Sequence, residues 1–139
     1  MLNTTLMGLA PESAVNPLEL AARIEAGLPN SALTAIKATL GLTDYELAAL
    51  LDLSPRTLHR LSKQPSGQLS LSVGDRLYRL ARVLEQAEET FSDSDRIRCW
   101  LREPQFGLGG ELPLHLLRTE VGSQAVQDLL GRIAYGVYS

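Results

Sequence analysis

The sequence holds one cysteine, Cys99, and two histidines, His59 and His115. A single thiol excludes an internal disulfide framework and fits a reducing compartment. Two imidazoles and one thiol at unrelated spacings match no zinc pattern. No nucleophile, base and orienting group converge along the chain, so the protein is not expected to be an enzyme. Nothing in the pattern calls for a cofactor. Runs of alternating β-branched residues are also missing, which removes the strand signal. No stretch of about 18 apolar residues is present, so no membrane span is expected. The start, Met1-Leu2-Asn3-Thr4-Thr5-Leu6, lacks the basic opening of a secretory signal. The expectation from these absences is a cytoplasmic, non-membrane chain built from helices.

Acidic residues outnumber basic ones by 16 to 13, a balance that at first disfavours nucleic acid. The distribution reverses that inference. Residues 1–53 carry six acids and two bases, and residues 83–139 nine acids and five bases. Between them, Arg56, Arg60, Lys63, Arg76, Arg79 and Arg82 face a single acid, Asp75. A positive band between two acidic flanks is what a domain shows when one face meets phosphate and the others do not.

Residues 1–16 contain Pro11 and no sustained period, and read as a flexible lead. A helix is predicted from Pro17 to about Ala26, stopped by Gly27. A second, with Ser31 as its cap, carries Leu33, Ile36 and Leu40 on one face and closes at Gly41. Thr43-Asp44-Tyr45-Glu46 is a capping box, in which the threonine hydroxyl serves an orphan amide and Glu46 reaches back to the cap. Ser54-Pro55 opens the next helix, to about Lys63, with serine as N-cap and proline where its missing N–H costs nothing. That helix buries Leu58 and Leu61 and exposes Arg56, Thr57, His59, Arg60 and Lys63. Two short helices joined by a tight turn, the second one basic, form the helix-turn-helix pattern.

Ser72 is expected to cap a long helix running to about Thr90, with Leu77, Leu80, Ala81, Leu84 and Ala87 on its apolar stripe. Ser92 to Ser94 is the expected boundary, giving a DNA-binding domain over 17–91 and a C-terminal domain over 92–139. Short helices are predicted at 95–102 and 112–118, separated by a glycine-rich loop. Gly107-Leu108-Gly109-Gly110 in that loop follows no strand and lacks the Lys-Ser/Thr of a phosphate loop, so it reads as a tight turn. The last helix carries Val121, Val126, Leu129, Leu130 and Ile133. Tyr135, Val137 and Tyr138 follow around Gly136, so the chain stays apolar and aromatic to Ser139. Such surface is either folded back or handed to a partner, and the partner is the expectation.

On the DNA side, Arg56 and Thr57 sit in the first turn of the basic helix, where base edges are usually met. His59 lies on the same face, and Ser54 precedes it as the cap. Arg60, Lys63, Arg76 and Arg79 suit phosphates. One short helix reads too few base pairs, so a homodimer is expected, joined through the 73–90 helix or the C-terminal region.

Several segments carry a resemblance. They are Ser54-Pro55-Arg56-Thr57-Leu58, Leu69-Ser70, Asp75-Arg76-Leu77, Arg79-Leu80-Ala81, Trp100-Leu101 and Leu108-Gly109-Gly110. Pro113-Leu114, Thr119-Glu120-Val121-Gly122 and Leu130-Gly131-Arg132-Ile133-Ala134-Tyr135-Gly136 continue the series. In order and spacing, from about Gly27 to Ser139, they resemble the Xre/MbcA/ParS antitoxins, close to the Xre antitoxins paired with RES-domain toxins. The resemblance implies an all-α fold, with an Xre-like helix-turn-helix unit followed by a toxin-binding unit. It implies a type II toxin–antitoxin system in which the RES toxin depletes NAD⁺, the antitoxin covers its nucleotide site, and the pair acts as transcription repressor of its own promoter. Carried onto this chain, toxin contact falls on Leu129, Leu130, Arg132, Ile133, Tyr135, Gly136, Val137, Tyr138 and Ser139. Tyr138 and the carboxylate of Ser139 would stand where NAD⁺ or its phosphates bind. The alternative from the residues alone is a stand-alone helix-turn-helix repressor whose C-terminal unit dimerises or senses a ligand. The family's Phe-Gly-Asp reads Phe91-Ser92-Asp93 here, and the loop before Leu-Gly-Gly reads Pro104-Gln105-Phe106-Gly107.

Overall fold

Most helices begin where a side chain can satisfy their orphan amides. The computed structural model describes residues 16–64 and 66–136. In chain order these form α1 (Pro17–Ala26), α2 (Ser31–Leu40), α3 (Asp44–Leu51), α4 (Pro55–Ser62) and α5 (Leu71–Phe91). Then come α6 (Ser94–Leu101), a 3₁₀ turn at Phe106–Leu108, α7 (Pro113–Leu116) and α8 (Glu120–Ala134). Among the described residues the one β feature outside this all-α fold is an isolated bridge between Pro29 and Gln68. The chain divides into two compact units between Ala81 and Arg82.

In the N-terminal unit, Asn16 accepts from the amides of Leu18 and Glu19, with Pro17 opening α1. Thr43 and Glu46 complete the capping box of α3. Asp52, in the left-handed region at φ 57°, then turns the chain into α4, and Ser54 Oγ accepts from the Thr57 amide. The stripes of these helices meet in one core, where Leu33, Ile36, Leu51, Leu58 and Leu77 are essentially excluded from water. Each such side chain contributes about 1.5–3 kcal/mol. Leu61 is only half-buried.

Two caps differ from expectation. Ser31 is the first helical residue of α2, and Asn30 holds the cap position without a side-chain cap bond. For α5, Ser70 Oγ accepts from the Val73 amide, so the helix starts before Ser72, whose hydroxyl instead meets Arg76. Both errors have one cause: two cap-forming residues stand within two positions of each other, Asn30 and Ser31 or Ser70 and Ser72, and a cap signal cannot say which will leave the helical conformation.

In the C-terminal unit, Leu101, Leu117, Val126 and Leu130 form the core. The second half of α5 belongs to it. Gln86 Nε2 donates to the Gln127 carbonyl at 2.8 Å, and Thr90 Oγ1 donates to the Leu130 carbonyl at 3.5 Å. The expected boundary at Ser92–Ser94 therefore stands beside an observed division ten residues earlier, inside α5. Asp93 caps α6 through the Asp95 amide, and Phe91 and Trp100 pack ring to ring at 5.5 Å. Thr119 Oγ1 accepts from the Gly122 amide to start α8. Val121 is 81% exposed and off the buried face, which instead comprises Gly122, Ser123, Val126, Gln127, Leu129 and Leu130.

Candidate functional site

Arg56, His59, Arg60 and Lys63 recur at three-and-four spacing, and so share one face of α4 and its C-terminal cap. All four are exposed, while Leu58 on the opposite face is 1% exposed. None of the four carries an ion pair among the described residues, so their donors are free for an anionic ligand. Ser54 is exposed at the helix start; Thr57 is half-buried, its hydroxyl 3.0 Å from Ser54 Oγ. The fold thus turns four polar side chains outward as a convex ridge, with the helix held from beneath by its leucine.

Arg76 and Arg79, on α5, are half-buried. Arg76 donates to Ser72 Oγ and lies 3.9 Å from the carboxylate of Asp52, the residue of the tight turn before α4. Arg82, the last cation of the basic band, donates to Gln127 Oε1 at 3.2 Å and serves the C-terminal unit. Sequence reasoning missed Asn30. It is 2% exposed, and its side-chain amide donates to the carbonyls of Gln64 at 2.9 Å and Leu61 at 3.3 Å, at the end of α4. No local pattern marks it, because its partners lie more than thirty residues away.

The residues assigned by resemblance to toxin contact are dispersed by burial. Leu129 and Leu130 are 3% and 0% exposed. Their apolar side chains belong to the unit's own core. Arg132 and Ile133 are half-buried, whereas Tyr135 is 88% exposed and Gly136 exposed at φ 76°. Val137, Tyr138 and Ser139 lie outside the described residues.

A shallow groove of about 410 Å³ in the C-terminal unit is lined by Phe91, Arg96, Cys99 and Trp100 with the carboxylates of Asp93, Asp95 and Glu103. The Arg96 guanidinium sits 5.3 Å from the centre of the Phe91 ring. Neither histidine lines the groove beside Cys99. Among the described residues no cluster of three or more metal-ligating side chains occurs. No helix among them is long and apolar enough to cross a membrane. Burial pushes the Glu88 carboxyl above its ordinary value of 4.5, and its Oε1 accepts no hydrogen bond among the described residues.

A capped basic helix after a tight turn, followed by a separate helical unit, defines a helix-turn-helix protein with a C-terminal extension. Comparison with known proteins makes this specific. Residues 19–82 match the antitoxin Xre-like helix-turn-helix domain. Residues 86–136 match the antitoxin Xre/MbcA/ParS C-terminal toxin-binding domain. The chain has this paired architecture and belongs to the Xre/MbcA/ParS antitoxin family.

Antitoxin Xre of Yersinia enterocolitica is 36% identical over 74 residues, covering 52% of this chain and 50% of that protein. Antitoxin Xre of Photorhabdus laumondii is 35% identical over the same length and coverage. Antitoxin Xre of Pseudomonas putida is 32% identical over 68 residues, covering 49% and 43%. The matched stretch spans about half the length of these relatives. Among solved structures, a chain of the M. tuberculosis MbcT–MbcA toxin–antitoxin complex superposes with a TM-score of 0.61 at 29% identity. That match covers 79% of this chain and 96% of the other.

Proposed function

We propose that this protein is the antitoxin of a type II toxin–antitoxin pair: it neutralises a cognate toxin through its C-terminal unit and binds promoter DNA through α4. The observation that supports this most is the match over nearly the whole of a chain from the MbcT–MbcA complex. Under this reading the toxin is a RES-domain enzyme that degrades NAD⁺, and the antitoxin occludes its active site. The contact begins at Arg132 and Tyr135, where α8 leaves its own core and an aromatic ring stands in solvent. It continues through Gly136 into Val137, Tyr138 and Ser139. A half-buried guanidinium and an exposed phenol suit a nucleotide pocket, since one pairs with phosphate and the other stacks.

The DNA role rests on Arg56, Thr57, His59, Arg60 and Lys63, with Arg76 and Arg79 as further phosphate ligands and Ser54 fixing the helix start. Homodimerisation within a larger toxin–antitoxin complex would place two copies of α4 on successive half-sites, the arrangement by which helix-turn-helix dimers read DNA. A stand-alone repressor remains the competing reading, in which the C-terminal unit only dimerises or senses a ligand.

The test compares the tagged full-length protein with a form ending at Arg132, each used to capture partners from the native host. Retention of an NAD⁺-consuming partner by the full-length form alone supports occlusion by the segment after Arg132. Equal capture by both forms rejects that segment as the working end. Capture of no partner by either favours the repressor, with promoter binding as the next measurement.

A further inference from the structure

We infer that Asn30 is the residue that aims α4 at DNA. The inference rests on the proposed DNA-reading role of that helix. Asn30 occupies the N-cap position of α2, where an asparagine ordinarily serves its own helix, yet its side chain makes no cap bond. Both amide hydrogens go elsewhere, to the Leu61 carbonyl at 3.3 Å and the Gln64 carbonyl at 2.9 Å. Both carbonyls belong to the chain leaving α4, and each also accepts a backbone amide, Leu61 from Gln64 at 3.1 Å and Gln64 from Gly67 at 2.9 Å, so Asn30 is the second donor that clamps this exit. The Asn30 backbone amide adds a third tie, donating to the Gly67 carbonyl at 2.9 Å.

The fit is close. A Cβ at Gly67 would lie 2.7 Å from Asn30 Nδ2, so only glycine lets the exit turn approach the amide. Asn30 is 2% exposed, so its side-chain bonds are shielded on its own side, and losing them loosens the tie between the start of α2 and the exit of α4. Ser54 fixes the other end of α4. A helix of eight residues, Pro55–Ser62, is thereby held at both termini. Base readout depends on helix orientation to within a fraction of an ångström, while attraction to phosphate depends mainly on charge. Asn30 is therefore a positioning residue whose loss removes sequence discrimination before it removes DNA affinity.

The test uses the full chain, a labelled duplex taken from directly upstream of its own reading frame, and mixed-sequence genomic DNA as the non-specific probe. Asn30→Ala and, independently, Gly67→Ala should weaken binding to the upstream duplex roughly tenfold, the scale of one or two lost buried hydrogen bonds. Affinity for mixed-sequence DNA and the salt slope should stay as they are, because no charge has changed. Far-UV helicity should be retained. Equal losses on both DNAs, or none on either, would overturn the inference. Arg56→Ala serves as the control: if it binds both DNAs as the native chain does, the reading of α4 itself falls and this inference with it. Should both alanine variants unfold, the native chain still decides. The Asn30 side-chain amide hydrogens should exchange with solvent far more slowly than those of exposed Gln64, and exchange at equal rates would refute the staple.

Discussion

Gly122, in the first turn of α8, lies directly against the backbone carbonyl of Leu116 at the end of α7. A Cβ at that position would overlap the Leu116 oxygen, and backbone atoms cannot step aside as a side-chain tip would. Gly122→Ala should therefore destabilise the C-terminal unit by about 1–3 kcal/mol, the usual cost of overpacking. A Cβ at Gly131, in the same helix, would meet only Gln86 Nε2 among the described residues, at 3.6 Å. Gly131→Ala should instead stabilise by about 0.5–1 kcal/mol, the helix-propensity gain. Thermal melting of the two variants should move Tm in opposite directions.

Ser92 ends α5 at φ 59°, where a side chain is strained, and its amide donates to the Glu88 carbonyl. This is the position at which the family's Phe-Gly-Asp has glycine. Ser92→Gly should relieve the strain and raise stability by about 1 kcal/mol, less the entropy that glycine gains on unfolding. Denaturant melts that show no gain would mean the serine hydroxyl compensates.

Arg56 and Lys63 stand at opposite ends of the exposed ridge of α4, and their substitutions should differ in kind. Lys63→Ala should weaken binding to all DNA sequences alike and lower the slope of log K against log salt by about one. Arg56→Ala should in addition relax the preference for upstream over mixed-sequence DNA, costing about 1–3 kcal/mol on the preferred site. Fluorescence anisotropy at several salt concentrations separates the two.

Glu88 gives the chain a predictable response to pH. Burial raises its carboxyl pKa above the ordinary 4.5, so the folded state holds the proton more tightly than the unfolded one. Below the ordinary value both states are protonated and the residue is neutral to stability. As pH rises through the interval up to the raised value, the fold loses stability, and the full cost persists above it. Glu88→Gln should melt at a higher temperature than the native chain at neutral pH, with the difference vanishing near about pH 4. A constant difference across the titration would show that desolvation of the carboxylate is not the cause.

What the sequence made legible follows a physical division. Capping is local, so the box at Thr43 and Glu46 and the serine–proline start at Ser54 could be read directly. The outward stripe of α4 followed from helical periodicity with equal directness. Asn30 could not be read, since its value lies in carbonyls brought to it by the fold. Leu129 and Leu130 illustrate a related point. Periodicity says that an apolar face will be covered, but not whether the cover is another molecule or the chain's own core. Val121 shows the converse, an apolar residue left in solvent by one step around the helix.

The passage of α5 through both units bears on how such proteins can be shuffled. The two family domains meet inside this helix, one ending at residue 82 and the next starting at 86. A recombination joint at the polar stretch after Phe91 would part a foreign C-terminal half from its own counterparts of Gln86 and Thr90, the side chains that here donate to the Gln127 and Leu130 carbonyls. A joint within the turn after Ala81 would keep those donors with their acceptors. Exchange of toxin specificity between relatives should therefore leave its seams in the middle of a helix rather than in a loop.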